Sequence, residues 1–186
     1  MKDTFPFDLL KGIQALGVLH SEENDAKVSY YRLLKLLYIA DREYLRETGR
    51  PIVGGRDVAM DRGPLSSNAY NLIKGEHPDA SQFSKVFRRE GRLLEKVTEP
   101  GRDELSKREI RKLTEVSIRH RLLESDEIGE ITHDYAEYAK HYVPKTSKSI
   151  TLESKLEALG IADKRDCILK DIEETKALKH VLESVG

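Results

Sequence analysis

Metal binding, nucleophilic attack and paired-carboxylate hydrolysis each need particular side chains at particular spacings, and this sequence offers few of them. His133 and His141 stand eight apart and do not share a helix face closely, and Cys167 is the single cysteine, so neighbouring positions give no zinc signature. No P-loop, GxGxxG or GxSxG run occurs. Asp57 and Asp61 are four apart, but in a stretch that reads as strand and turn, where that spacing has no helical meaning. Glu43 and Glu47 fall on an exposed helix face beside Arg46 and Arg50, so a glycosidase-like acid pair is unsupported. His120 lies in an apolar stripe and reads as a core histidine, and His133 follows a capping Thr132 within reach of a neighbouring helix. Cys167 sits near the start of the last helix, where the dipole lowers a thiol pKa, but no base is paired with it. The expectation is a protein without catalytic residues, metal or cofactor, and not an enzyme.

One carboxylate does stand out. On a 3.6-residue wheel, Tyr30, Leu33, Leu34, Leu37, Tyr44 and Leu45 share one arc, with Arg32, Lys35, Arg42 and Arg46 opposite. Leu36 and Ala40 widen the arc, and Ile39 falls among the charges, which makes this the central buried helix. Asp41 points into the middle of the apolar arc. Burying a lone carboxylate costs several kcal/mol, so it must be paired, hydrogen-bonded or functional. A buried bridge to Arg62 or His133 is the structural expectation, and contact with a partner the functional one.

The elements that position these residues can be read from periodicity and punctuation. Pro6 and the apolar Phe7, Leu10, Ile13, Leu16 and Val18 predict an opening helix over 6–20, followed by a loop over 21–27. Ser29 is a candidate N-cap for the central helix, which ends at Gly49 before Pro51. Ile52-Val53, Gly54-Gly55 and Val58 to Met60 predict a hairpin turning at the glycine pair, with Gly63-Pro64 breaking the strand. Ser66 or Ser67 caps a short helix carrying Tyr70, and a second hairpin turns at Glu90-Gly91. Ser106 and Glu109 form a capping box for a helix reaching about Leu123. Thr132 caps a helix through Tyr142, residues 145–149 form a linker, and a two-turn helix ends at Gly160. Asp163 caps the last helix, with the stripe Ile168, Ile172, Leu178, Val181 and Leu182. The fold class is therefore α+β, mostly helical, with the two hairpins forming one small antiparallel sheet against the central helix.

Charge is unevenly placed. Net charge is -1 over residues 1–84, +5 over 85–121 and -5 over 122–186. Arg88, Arg89 and Arg92, then Lys107, Arg108 and Arg111, are candidate phosphate contacts if they share one face. Each run is interleaved with Glu, so a solvated face is the first expectation and nucleic-acid binding the alternative. The lone cysteine, the lack of a signal-peptide pattern and of any apolar run near the ~20 residues that span a bilayer point to a cytoplasmic protein without a membrane partner.

The run from Lys35-Leu36-Leu37-Tyr38-Ile39-Ala40-Asp41-Arg42-Glu43-Tyr44-Leu45 through Thr48-Gly49-Arg50-Pro51-Ile52, then Ala59-Met60, Gly63-Pro64-Leu65 and Tyr70, resembles the Panacea domain of SocA-like and GepA-like antitoxins from bacteria and phages. Later pieces agree more loosely: Glu130-Ile131-Thr132-His133 and a C-terminal helical segment from Ile150 to Gly160. Many members carry a tryptophan after the Thr-His pair, whereas this chain has none and offers Tyr138 or Tyr142. The resemblance implies a Panacea-like antitoxin domain over 1–145, with 146–186 packed on it. It implies neutralisation of a cognate protein toxin by direct contact in the type II manner and, for the SocA-like branch, delivery of the toxin to a ClpXP-type protease. On motif membership, Tyr38, Asp41, Arg42, Arg62, Gly63, Pro64 and Tyr70 are the partner-binding candidates. A DNA-binding regulator of a phage or mobile-element operon is the alternative.

Overall fold

The computed structural model describes the backbone of residues 3–185 and the side chains of residues 3–181. Its axis is the helix that the leucine pattern predicts. After α1 (Leu9–Glu22) and the short strand β1 (Lys27–Ser29), α2 (Tyr30–Thr48) runs through the core and stops at Gly49. The left-handed conformation at Gly49 (φ 81°) ends the helix, as only glycine adopts it without a Cβ penalty. Ser29 occupies the N-cap position but makes no side-chain capping bond, contrary to expectation; its residue is instead the last of β1.

Burial of α2 is nearly complete. Leu33, Leu34, Leu36, Leu37, Ile39 and Ala40 are shut off from water, and Arg32 and Lys35, from the arc expected to face water, are buried as well. Arg32 is satisfied by Glu23 (2.8 Å), by the carbonyl of His120 (3.1 Å) and by the carbonyl of Leu123. A guanidinium with several acceptors can lie in the interior, where an unpaired one cannot.

The strands depart from the expected single sheet. β2 (Asp57–Met60) pairs antiparallel with β3 (Gly63–Ser66), so the turn is Asp61-Arg62 and not Gly54-Gly55. The glycine pair instead allows a close approach of the N-terminal segment. A Cβ on Gly54 would lie 2.7 Å from the Pro6 carbonyl, and the Gly55 amide donates to the carbonyl of Phe5. Gly63-Pro64 does not break a strand but opens β3, an edge strand where the missing proline N–H is tolerated. After α3 (Ser67–Lys74), capped by Ser66, and α4 (Ala80–Ser84), the second hairpin forms as predicted from β4 (Phe87–Glu90) and β5 (Leu93–Lys96). It pairs with β1, and the two hairpins belong to separate three-stranded sheets, ordered β1-β5-β4 and β3-β2-β6.

α5 (Lys107–Arg119) opens with the predicted Ser106–Glu109 capping box and packs on α1 and α2. Thr132 is no cap: it lies within α6 (Ser125–His133) and donates to the carbonyl of Gly129 (2.7 Å), and α7 (Ala136–His141) follows Tyr135. The expected linker contains β6 (Lys148–Ser149), which completes the second sheet against β2. α8 (Leu152–Ala158) and α9 (Arg165–Val185) close the chain, with Asp163 in an intervening 3-10 turn and not at the helix cap. Leu156, Ile168 and Ile172 cover Phe5 and Leu45, whereas Leu178 and Val181 are exposed and Leu182 lies outside the described side chains.

Candidate functional site

Most residues that carry the resemblance turn out to be framework. Asp41 is buried, and its Oδ1 accepts from the backbone amides of Ile52 (2.8 Å) and Val53 (3.0 Å). The expected bridge to Arg62 or His133 is not made; the carboxylate ties the end of α2 to the segment that follows it. Burial, with Asp57 close by, pushes its pKa up to about 7, against the pull of Lys155 and the two amides. Asp57 itself pairs with Lys155 at 2.5 Å, both largely shielded from water. Burial works against the Lys155 ammonium, yet Asp57 outweighs it and holds that pKa above the ordinary value.

Tyr38 is fully enclosed, and its hydroxyl donates to Glu137 (3.1 Å). Arg42 grips the same carboxylate at 2.5 and 3.3 Å and lies over the Tyr135 ring at 4.1 Å. Two partners for Glu137, itself 0% exposed, account for an acid inside the fold.

Gly63 and Pro64 are likewise internal. A Cβ on Gly63 would meet Thr132 Oγ1 at 2.5 Å, Lys35 Nζ at 2.9 Å and His133 Cδ2 at 3.2 Å, and its φ is +90°. Three pieces of the motif therefore converge on one glycine. Lys35 Nζ donates to the Pro64 carbonyl (2.7 Å), no carboxylate among the described residues lies at ion-pairing distance, and burial lowers its pKa to about 7. His133 stacks on Tyr138 (4.9 Å), and its Nε2 is buried with no hydrogen-bond partner among the described residues. Tyr138, one of the two candidates for the place of the absent tryptophan, is buried between His133 and Tyr142 and donates to the Met60 carbonyl.

That leaves Arg62 and Tyr70, and these meet at the surface. They line a cleft of about 450 Å³ with a floor of Tyr31, Met60, Leu65 and Tyr70. Its rim is Asp61-Arg62, the β2–β3 turn, facing residues 145–147. The Arg62 guanidinium sits over the Tyr31 ring at 5.1 Å, and Tyr31 stacks on Tyr30 at 4.4 Å. Burial and the neighbouring Tyr31 push Tyr30 up to about 12. Lys145 is the one non-glycine with positive φ among the described residues (58°). Its amide donates to Asp61 (2.8 Å), which also accepts from Tyr142 (3.2 Å). Sequence reasoning missed Tyr31, Met60 and Lys145; Lys145 carried no signal, since its placement depends on pairing with a turn some eighty residues earlier.

Of the six candidates in the basic runs, two face carboxylates. Arg88 faces Glu95 (3.7 Å) and Arg108 faces Glu47 (3.7 Å) while lying over the Tyr44 ring. Arg92, Lys107 and Arg111 are exposed, Arg92 at a hairpin turn and the others on α5. Arg89 instead lies close enough to Tyr30 and Tyr70 to favour their phenolates. His120 is a core histidine whose Nδ1 bonds the Val116 carbonyl (2.8 Å), and Cys167 is exposed. Among the described residues no group of three or more His, Cys, Asp or Glu could hold a metal, and no helix is long and apolar enough to cross a membrane.

The frame is thus mostly helical α+β, its signature residues lock its own elements together, and an aromatic cleft lies open at its surface. The family described as antitoxin SocA-like, Panacea domain, matches residues 33–138. That is more than half of the chain, which belongs to this family. A search of curated proteins and a search of solved structures each found no match.

Proposed function

We propose that this protein is the antitoxin of a type II pair, neutralising a cognate protein toxin by direct contact, with no turnover of its own. Family membership supports the class, and the cleft beside Arg62 and Tyr70 is the observation that carries the contact reading. Tyrosine, arginine and methionine are enriched at protein interfaces, and a few such anchors dominate binding. The cleft would form the centre of a patch of about 800 Å² per partner, the usual size for a specific complex. The buried framework explains how such a scaffold tolerates change: rim residues can vary while Asp41, Glu137 and Gly63 keep the geometry. Handing the toxin to a ClpXP-type protease is the finer form of the reading that the resemblance implies. DNA binding is the alternative: it would draw on the exposed Arg92, Lys107 and Arg111, whereas Arg88 and Arg108 face carboxylates.

The test is co-expression with the protein encoded beside this gene. Relief of its growth arrest, with co-purification of the two chains, is the expected result. Growth arrest that persists at equal expression, without co-purification, would refute the reading.

A further inference from the structure

We infer that Asp61 is a positioning residue: by accepting the Lys145 amide it selects one of two forms of the turn at Pro144-Lys145, and so places the cleft wall formed by residues 145–147. For the partner that the cleft takes, this rests on the reading above; for the turn itself it does not.

The Thr146 amide donates to the Val143 carbonyl (3.2 Å), which closes a four-residue turn with Pro144 and Lys145 at its centre. The pyrrolidine ring holds φ of Pro144 at about −65°. That excludes the mirror-image turns, which begin with a positive φ, and Lys145 at +58° leaves type II. Type II favours glycine or asparagine at this place, because a Cβ is disfavoured there. A lysine would settle more readily in type I, with φ at about −90°. The two forms differ by a flip of the peptide joining Pro144 to Lys145, which reverses the direction of the Lys145 N–H. In the left-handed form that N–H meets Asp61 Oδ1 at 2.8 Å; after the flip it would point away. The same oxygen accepts from the Tyr142 hydroxyl (3.2 Å). Tyr142 in turn stacks on Tyr138 (5.2 Å), whose hydroxyl donates to the Met60 carbonyl just before Asp61.

Little else holds the wall. Residues 143–147 are all exposed, and the Thr146 hydroxyl bonds back to Val143. Among the described residues, the Lys145 amide makes this segment's one hydrogen bond to another element. Beyond it the chain is fixed again at β6, where Lys148 pairs with Ala59. A segment moored at both ends and clasped once between them has two placements, and the clasp decides which is populated. Asp61 belongs to the same β2–β3 turn that carries Arg62, so one carboxylate ties the two sides of the cleft together.

Nuclear magnetic resonance on the full chain reads the turn directly. In the left-handed form Pro144 Hα lies against the Lys145 amide proton and gives a strong Overhauser effect, which weakens on the flip. It should be strong in the wild type and weak in Asp61→Ala. Asp61→Asn, whose amide oxygen still accepts, should keep it. Asp61→Ala combined with Lys145→Gly should regain it, since glycine adopts the left-handed form unaided. Both positions are exposed, and unaltered melting temperatures confirm that the folds are intact. Titration with the protein encoded beside this gene then reads the consequence. If the flip leaves about a tenth of the molecules in the competent form, Asp61→Ala binds about tenfold more weakly, with Asp61→Asn and the double variant near wild type. A strong Overhauser effect in Asp61→Ala overturns the inference, as does binding by Asp61→Ala equal to wild type. Weak binding by the double variant with its turn restored also overturns it, by making Asp61 a direct contact. Weak binding by Asp61→Asn with its turn intact does the same, by assigning the effect to charge. Failure of the neighbouring protein to bind the wild type removes the antitoxin reading alone, and the Overhauser effect still decides the turn.

Discussion

Asp41→Asn separates the charge of the buried carboxylate from its hydrogen bonding. The introduced amide oxygen still accepts from Ile52 and Val53, so only ionisation is removed. The wild-type carboxyl, ordinarily at 3.8, titrates at about 7 in the folded chain. Between those pH values the folded state holds a proton that the unfolded state has lost, and stability falls as pH rises. At about 1.36 kcal/mol per pH unit the full loss is on the order of 4 kcal/mol, complete slightly above pH 7. Urea unfolding of both proteins at pH 4, 5.5, 7 and 8 should show the wild type weakening relative to the Asp41→Asn variant through the first three values and holding a constant offset beyond. Asp41→Ala, by contrast, leaves two buried amides without an acceptor and should cost about 2–6 kcal/mol even at pH 5. If the wild type and Asp41→Asn give parallel stability curves from pH 4 to 8, the carboxylate carries no burial penalty and the reasoning fails.

Two further outcomes follow from the same framework. Lys35 has the opposite sign: its folded pKa, about 7, lies below the ordinary 10.5, so the unfolded state binds the extra proton and stability rises from about pH 7 towards pH 10. Lys35→Met should lose that rise, read as a flat unfolding free energy between pH 7 and 9.5 where the wild type gains several kcal/mol. Gly63→Ala combines a positive φ with a Cβ 2.5 Å from Thr132 Oγ1, and should cost roughly 2–6 kcal/mol by thermal melting; a shift below about 1 kcal/mol would show that the niche relaxes freely.

The periodicity of Tyr30 to Leu45 was enough to find the central helix, and glycine chemistry enough to end it at Gly49. The Ser106–Glu109 box and the Glu90-Gly91 turn were equally legible, because capping and tight turns are made by residues adjacent in the chain. The singularity of Asp41 was visible too, since a charge on an apolar arc breaks a local pattern. Its partners were not: they are backbone amides, which every residue but proline carries and no sequence advertises. The split into two sheets depended on β1 and β6, three and two residues long, too short to leave an alternation. The convergence of Lys35, Pro64 and His133 on Gly63, and the meeting of Arg62 with Tyr31 and Lys145, join residues up to about a hundred positions apart. Local propensity fixes elements within a few residues of chain, whereas which surfaces face one another is decided by how those elements pack, and the cleft exists only there.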